Sequence, residues 1–182
     1  MRKLAVTQNI TMDGRIDMLG DWFVAQDQDD ELLAENARQR DSADAVLLGR
    51  GTFESMRGYW RDLVDDSTGV SDYLNRVDKY VVSSTLTQPA WRGTTVLGDD
   101  WLDSVRELKA NTGGDIVCTG SVSLTHALFE AGLVDEIRLF RYPVVQGEGR
   151  YLFPDDLSIR DARVAEAAAW PSGTGYERWT MS

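Results

Sequence analysis

Three short apolar runs in this chain stop at the same kind of junction. Ala45-Val-Leu-Leu48 runs into Gly49-Arg-Gly-Thr52, Lys79-Tyr-Val-Val82 into Ser83-Ser-Thr85, and Ile116-Val-Cys118 into Thr119-Gly-Ser-Val-Ser123. Runs of this length, bounded by glycine or serine, read as buried strands. Helical patterns follow the first and the third. A chain that alternates strand and helix builds a sheet with parallel strands, and the loops that follow those strands gather beyond their carboxyl ends.

The remaining segments fill in that frame. Leu4 to Ile10 predicts a first strand closed by the turn pair Asp13-Gly14, and a loop carrying Trp22-Phe23 follows. A helix is predicted from Asp29 to Arg40, with Leu32, Leu33, Asn36, Ala37 and Arg40 near one side. Thr52 to Met56 predicts one or two helical turns, Val70 to Asn75 a helix, and Thr94 to Leu97 a strand. Asp99 or Asp100 stands where it could cap a helix carrying Trp101, Val105 and Leu108, which Asn111 to Gly114 ends. A helix over Ser123 to Ala131 and a long β run from Val134 to Val144 come next. Asp161 to Ala168 and Tyr176 to Met181 read as an antiparallel pair across Pro171 to Gly175. The expected fold is α/β: a mixed, mostly parallel central sheet with flanking helices and a C-terminal antiparallel hairpin. With no internal repeat or linker, residues 1–182 are expected to form one domain.

Charge narrows the partners. Thirty acidic against nineteen basic residues give a net charge of -11. Such a surface repels nucleic acid and acidic membranes unless basic residues cluster, and none do, so neither is expected as a partner. The lone Cys118, inside an apolar run, is expected to be an inert core thiol. No apolar run is long enough to span a bilayer, and the start does not read as a signal peptide, so a cytoplasmic protein is the expectation.

The three junctions suit phosphate. Glycine lets an oxygen-rich ligand approach the backbone, the free N–H groups of a first helical turn meet negative charge, and hydroxyls add neutral donors. Neither a Walker loop nor GxGxxG after the first strand is present. Arg50 could turn its planar fork of donors to a phosphate, pair with Glu54 one turn on, or do both. Thr52 could cap a helix or donate to phosphate. Gly120-Ser121-Val122-Ser123 alone also describes a plain cap; the three junctions together favour the ligand.

These pieces carry a resemblance. Leu47-Leu-Gly-Arg-Gly-Thr-Phe-Glu-Ser55 resembles the LGRxTxES signature of the dihydrofolate-reductase-like superfamily. Thr7-Gln-Asn-Ile-Thr-Met-Asp-Gly-Arg-Ile16 resembles the opening strand and turn of the reductase domain of riboflavin-biosynthesis deaminase–reductases. The segments from Gly120 to Ile137 and from Pro143 to Phe153 are similar to that domain's GS…GLVDE and PVVLGxGxxLF stretches. The resemblance implies one α/β domain, NADPH as cofactor and frequent homodimers. It implies that Gly49, Arg50 and Thr52 meet the adenosine 2′-phosphate and that Ser83 and Ser84 line the adenosine. Gly120, Ser121, Val122 and Ser123 would take the pyrophosphate. Thr7, Ile10, Gly14 and the turn from Asp13 to Ile16 would lie beside the nicotinamide.

For chemistry, Asp13 matches the aspartate of the opening motif and is the candidate catalytic residue, as a proton donor or a holder of substrate polar groups; as a plain residue it is a turn aspartate bonding its own backbone. Trp22 and Phe23 could lie over a flat heterocyclic substrate or pin their loop to the core. Dihydrofolate reductases carry a carboxylate in the helix after the first long loop. Asp27, Asp29, Asp30 and Glu31 read instead as a solvated helix start. His126 is expected on a helix surface. An anionic substrate would want positive donors, and Arg15, Arg38 and Arg57 are the candidates. The resulting expectation is an NADPH-dependent reductase of a small heterocyclic, imine or carbonyl compound, nearest in activity to 5-amino-6-(5-phosphoribosylamino)uracil reductase. A non-catalytic NADPH-binding module and a dihydrofolate reductase are its rivals. A zinc-bearing deaminase domain, the companion of the reductase in the bifunctional enzymes, has no counterpart in this sequence.

Overall fold

A computed structural model describes residues 1–24 and 29–181. The predicted strands form at the expected places, as β1 (Leu4–Thr11), β2 (Ala43–Gly49), β3 (Asp78–Val82), β4 (Thr94–Leu97), β5 (Asp115–Cys118), β6 (Glu136–Tyr142), β7 (Arg163–Ala169) and β8 (Gly175–Thr180). They join one sheet in the order β4-β3-β2-β5-β1-β6-β8-β7. Pairing is parallel from β4 through β6 and antiparallel at β6–β8 and β8–β7, so the sheet is mixed, mostly parallel, and closed by the hairpin.

Among the described residues five helices cover the faces: α1 (Asp30–Ser42), α2 (Arg50–Trp60), α3 (Val70–Arg76), α4 (Trp101–Ala110) and α5 (Val122–Glu130). On one face Leu4, Val6, Ile10 and Leu47 pack with Val105 of α4 and Leu128 of α5. On the other, Val46, Leu48, Val81 and Val117 pack against Phe53 of α2 and Tyr73 and Leu74 of α3. Leu32 of α1 meets Phe140, Tyr142 and Tyr176 farther along that same side. From Ala45 on β2 alternates, with Leu47 facing one core and Val46 and Leu48 the other, as a strand buried on both faces requires.

Two helices depart from expectation at their ends. α2 begins at Arg50 rather than Thr52 and runs on to Trp60, because Met56 and Trp60 pack against the core of Phe53 and Tyr73. Asp100 precedes α4 without a side-chain bond to the backbone, so the expected cap does not form. Lys79 supplies an unexpected one: fully buried, its Nζ donates to the carbonyls of Leu74 at 2.6 Å and Val77 at 2.8 Å, closing the end of α3. Cys118 is fully buried and burial pushes its thiol pKa up, as a core thiol should behave.

Candidate functional site

The turns after β2 and β5 meet. Gly49 N–H donates to the Gly120 carbonyl at 3.0 Å. A Cβ on Gly49 would lie 2.3 Å from Ser121 Oγ, and one on Gly120, whose φ is +130°, would lie 3.1 Å from Thr52 Oγ1. Only glycine allows this approach at either position. α2 and α5 therefore start side by side, and neither start is capped by a side-chain bond. Ser121 and Ser123 exchange a hydroxyl contact at 3.1 Å instead. Two bundles of first-turn N–H groups thus open on one place, the arrangement that favours a bound anion.

The loop after β3 joins them through Arg50. Its Nη1 donates to Thr85 Oγ1 at 2.7 Å, and its Nε lies 3.8 Å from Glu54 Oε2. The ion pair and the outward-facing fork coexist, since the guanidinium stays half exposed. Ser83 Oγ accepts from the N–H groups of Thr85 and Leu86 and so shapes this loop, while Ser84 is exposed beside it. Thr52 is no cap, because α2 starts two residues earlier; its hydroxyl faces Gly120.

Next to these turns a cavity of about 240 Å³ opens between α1 and the α2–α3 side of the sheet. Thr119, one residue before Gly120, lies in its wall. Val46, Leu48, Val117 and Phe140 give the wall its apolar part, and Thr7, Asn36, Gln39 and Arg40 its polar part. Among the described residues that line it there is no aspartate, glutamate or histidine. Tyr73 is present, its hydroxyl pKa raised by burial to about 12.

Arg40 is the cationic group among the described residues of this lining, and the sequence reading did not single it out. Burial lowers its pKa, Asp41 and Asp66 pull the other way through space, and no carboxylate among the described residues forms an ion pair with it. The three arginines that were candidates are engaged elsewhere. Arg15 stacks over Tyr151 at 3.7 Å, Arg38 binds Glu35 and Glu166, and Arg57 donates to the Pro89 carbonyl. Helical periodicity put Arg40 on the Leu32–Asn36 side; only the fold shows that this side borders a cavity.

Asp13 sits at the end of β1, outside the cavity wall. Its carboxylate accepts from Thr11 Oγ1 at 2.6 Å and from the backbone N–H groups of Gln146 at 3.2 Å and Gly147 at 2.8 Å. These bonds, that of Thr11 above all, hold its pKa down to about 2. At neutral pH it has no proton to give. It clamps the turn of Gly14 to the segment after β6 through backbone N–H groups far along the chain. Gly14, with φ +85°, makes that turn and lies against the Tyr151 ring. Ile10 is packed in the core on the α4–α5 face of β1, away from Thr7, so only its backbone could serve a ligand on the cavity side.

Trp22 and Phe23 differ in what they touch. Trp22 lies 5.0 Å from the Tyr142 ring, centroid to centroid, and donates from Nε1 to Gln146 at 2.9 Å, which pins the loop. Phe23 packs on both rings and also lines the cavity. Asp29, Asp30 and Glu31 do not line it, and Asp27 lies outside the described residues. His126 is half-buried, with Nε2 2.9 Å from the Leu152 carbonyl, remote from the cavity lining. No group of three or more potential metal ligands and no helix long and apolar enough to cross a membrane occur among the described residues.

Comparison with known proteins gives the family and the fold. Residues 2–176 match the family described as the RibD C-terminal domain. The uncharacterised protein YyaP of Bacillus subtilis (strain 168) is 33% identical over 132 residues, which cover 71% of this chain and 70% of that protein. Among solved structures, a pyrimidine reductase-like protein from Corynebacterium diphtheriae superimposes with a TM-score of 0.71 at 14% identity, over 100% of this chain and 92% of that one. Dihydrofolate reductase from Enterococcus faecalis, complexed with NADP(H), gives 0.64 at 17% identity, over 99% and 96%. At these identities the two structures speak to fold alone.

Proposed function

The chain belongs to the RibD C-terminal domain family, and from that premise we propose that it is an NADPH-dependent reductase of a small heterocyclic, imine or carbonyl compound bearing an anionic group. The nearest named activity is reduction of 5-amino-6-(5-phosphoribosylamino)uracil. One observation carries the reading: two uncapped helix starts, flanked by Arg50, open beside a cavity that presents Arg40.

The residues fit the cofactor. Gly49 and Gly120 leave no Cβ in the way, the first turns of α2 and α5 offer N–H groups to a pyrophosphate, and Ser121, Val122, Ser123 and Thr52 belong to those turns. Arg50, aimed by Thr85 and Glu54, has donors left for a 2′-phosphate, with Ser83 and Ser84 along the adenosine. NADP(H) in the Enterococcus enzyme of like fold supports the choice. When bound, NADPH supplies a hydride; orientation and exclusion of water fall to the protein.

Within the cavity, Arg40 holds the anionic end of the substrate, the apolar wall with Phe23 keeps water from the reacting carbon, and Thr7 meets a polar edge. Asp13 acts as a positioning residue that holds the Gly14 turn, and the proton comes from solvent at the cavity mouth rather than from a carboxyl. Residues 1–182 act as one domain, and the working unit is a homodimer, a state that sedimentation would check.

The test is a fluorescence titration with NADPH and NADH, followed by NADPH oxidation against phosphorylated and plain pterins, pyrimidinones and quinones. Tighter binding of NADPH and turnover of a phosphorylated heterocycle are expected. A protein that does not bind NADPH would refute the reading. Binding with no turnover anywhere on the panel would favour the non-catalytic module. Dihydrofolate is expected to be a poor substrate, because no carboxylate among the described residues lines the cavity to meet its ring.

A further inference from the structure

Thr7, Gln39 and Glu35 form a hydrogen-bond chain that runs from the cavity wall into the protein. The Thr7 hydroxyl donates to Gln39 Oε1 at 3.0 Å, and Gln39 Nε2 donates to Glu35 Oε1 at 2.7 Å. Glu35 and Gln39 are buried, whereas Thr7 keeps access to the cavity. The inner end is anchored. Arg38 binds the other Glu35 oxygen, with Nε at 2.7 Å, and reaches Glu166 with Nη2 at 2.8 Å. The hydroxyl of buried Tyr176 accepts from the same Gln39 nitrogen at 3.3 Å.

The direction of each bond is forced from that end. A carboxylate paired with a guanidinium can only accept. Gln39 must then turn its amide nitrogen toward Glu35, since the reverse orientation would oppose two buried acceptors. Its carbonyl faces Thr7 and takes the single hydroxyl hydrogen. What Thr7 has left for the cavity is lone pairs.

We propose that Glu35 and Gln39 fix the polarity of Thr7, so that the cavity selects a ligand presenting an N–H or O–H donor at this point and rejects an isostere with an acceptor there. The inference rests on reading this cavity as the place of the substrate. Thr7 makes the contact; Gln39 and Glu35 position it. Pyrimidinones and pteridinones in their lactam form meet the requirement through a ring N–H. A quinone, which has acceptors alone, does not. Opposed buried acceptors cost on the order of 10- to 100-fold in affinity.

Calorimetric titration of the full chain with two probes tests this. Quinazoline-2,4-dione carries two ring N–H groups; 1,4-naphthoquinone has the same bicyclic outline and two carbonyls but no N–H. The dione is expected to bind roughly 10- to 100-fold more tightly to the wild-type protein. Thr7→Val should abolish that preference and Thr7→Ser should keep it. Gln39→Leu, which frees the Thr7 hydrogen, should narrow it; if that variant does not fold, the two Thr7 variants decide. A merely structural role for Gln39 would weaken both probes alike. Equal affinities in the wild-type protein, tighter quinone, binding of neither probe, or a preference that survives Thr7→Val would each overturn the proposal. A separate NADPH titration of the wild-type protein keeps this failure distinct from failure of the reductase reading.

Discussion

Gly49 packs against Ser121 so closely that a Cβ on the glycine would stand 2.3 Å from the serine hydroxyl oxygen, 3.0 Å from its Cβ and 3.1 Å from its backbone nitrogen. The hydroxyl could swing aside; the backbone nitrogen could not. Gly49→Ala is therefore expected to push the two turns apart. Overpacking of this kind typically costs about 1–3 kcal/mol, or roughly 2–10 °C in Tm for a chain of this size. NADPH affinity should fall roughly tenfold or more, because both helix starts move. Thermal melts and a cofactor titration check both; a variant with unchanged affinity would separate this contact from the cofactor.

Arg50 lies half exposed on the rim, tied to Thr85 and Glu54. Arg50→Ala should weaken NADPH by roughly 10- to 100-fold, the usual worth of a charge-assisted contact, and NADH far less. The melting temperature should hardly change. Equal loss for both cofactors, measured by fluorescence titration, would reject a role at the 2′-phosphate.

Arg40 is expected to govern the anionic end of the substrate. Arg40→Met keeps much of the side-chain volume and removes the charge. Affinity for uridine 5′-phosphate should fall roughly 10- to 100-fold, while affinity for uridine stays the same. Parallel loss for both ligands would mean that Arg40 shapes the cavity without reading charge.

The clamp at Asp13 predicts a pH dependence. Its folded-state pKa, about 2, lies below that of an ordinary aspartate, so the stability it contributes is complete above about pH 4 and is lost as pH falls toward 2. Asp13→Asn should be less stable than the wild type at pH 6, and the gap should close near pH 2. Denaturant melts at the two pH values decide; a constant gap would show that the carboxylate charge is not what holds Gln146 and Gly147.

Cys118 should resist thiol reagents in the folded protein and react only on unfolding, since it is fully buried and its thiol pKa is raised. Labelling across a urea series should track the unfolding curve.

The strands and the turns after β2, β3 and β5 were legible because their signal is local: an apolar run, then glycine or serine, with a helix following the first and the third. The cavity was not. Glu35 and Gln39 of α1 are buried polar residues that a hydrophobic-face reading sends to solvent, and the partners of Gln39 beyond the helix, Thr7 and Tyr176, lie far off in the chain. Arg40 was placed on the correct side of α1 and still missed, for nothing nearby in sequence says that a helix side borders a void. Asp13 was legible as a motif position, but its clamp depends on Gln146 and Gly147, which only the pairing of β1 with β6 brings close. The early start of α2 was hidden because Gly51 reads as a breaker, although Arg50 and Phe53 fit the helix once β2 is fixed.

Thr119 belongs to the cavity wall, and Gly120 opens the turn beside it. The two compartments therefore share a partition one peptide unit thick. On the proposed reading, cofactor and substrate would touch opposite sides of one peptide, so titrating each in the presence and absence of the other measures whatever coupling that peptide carries.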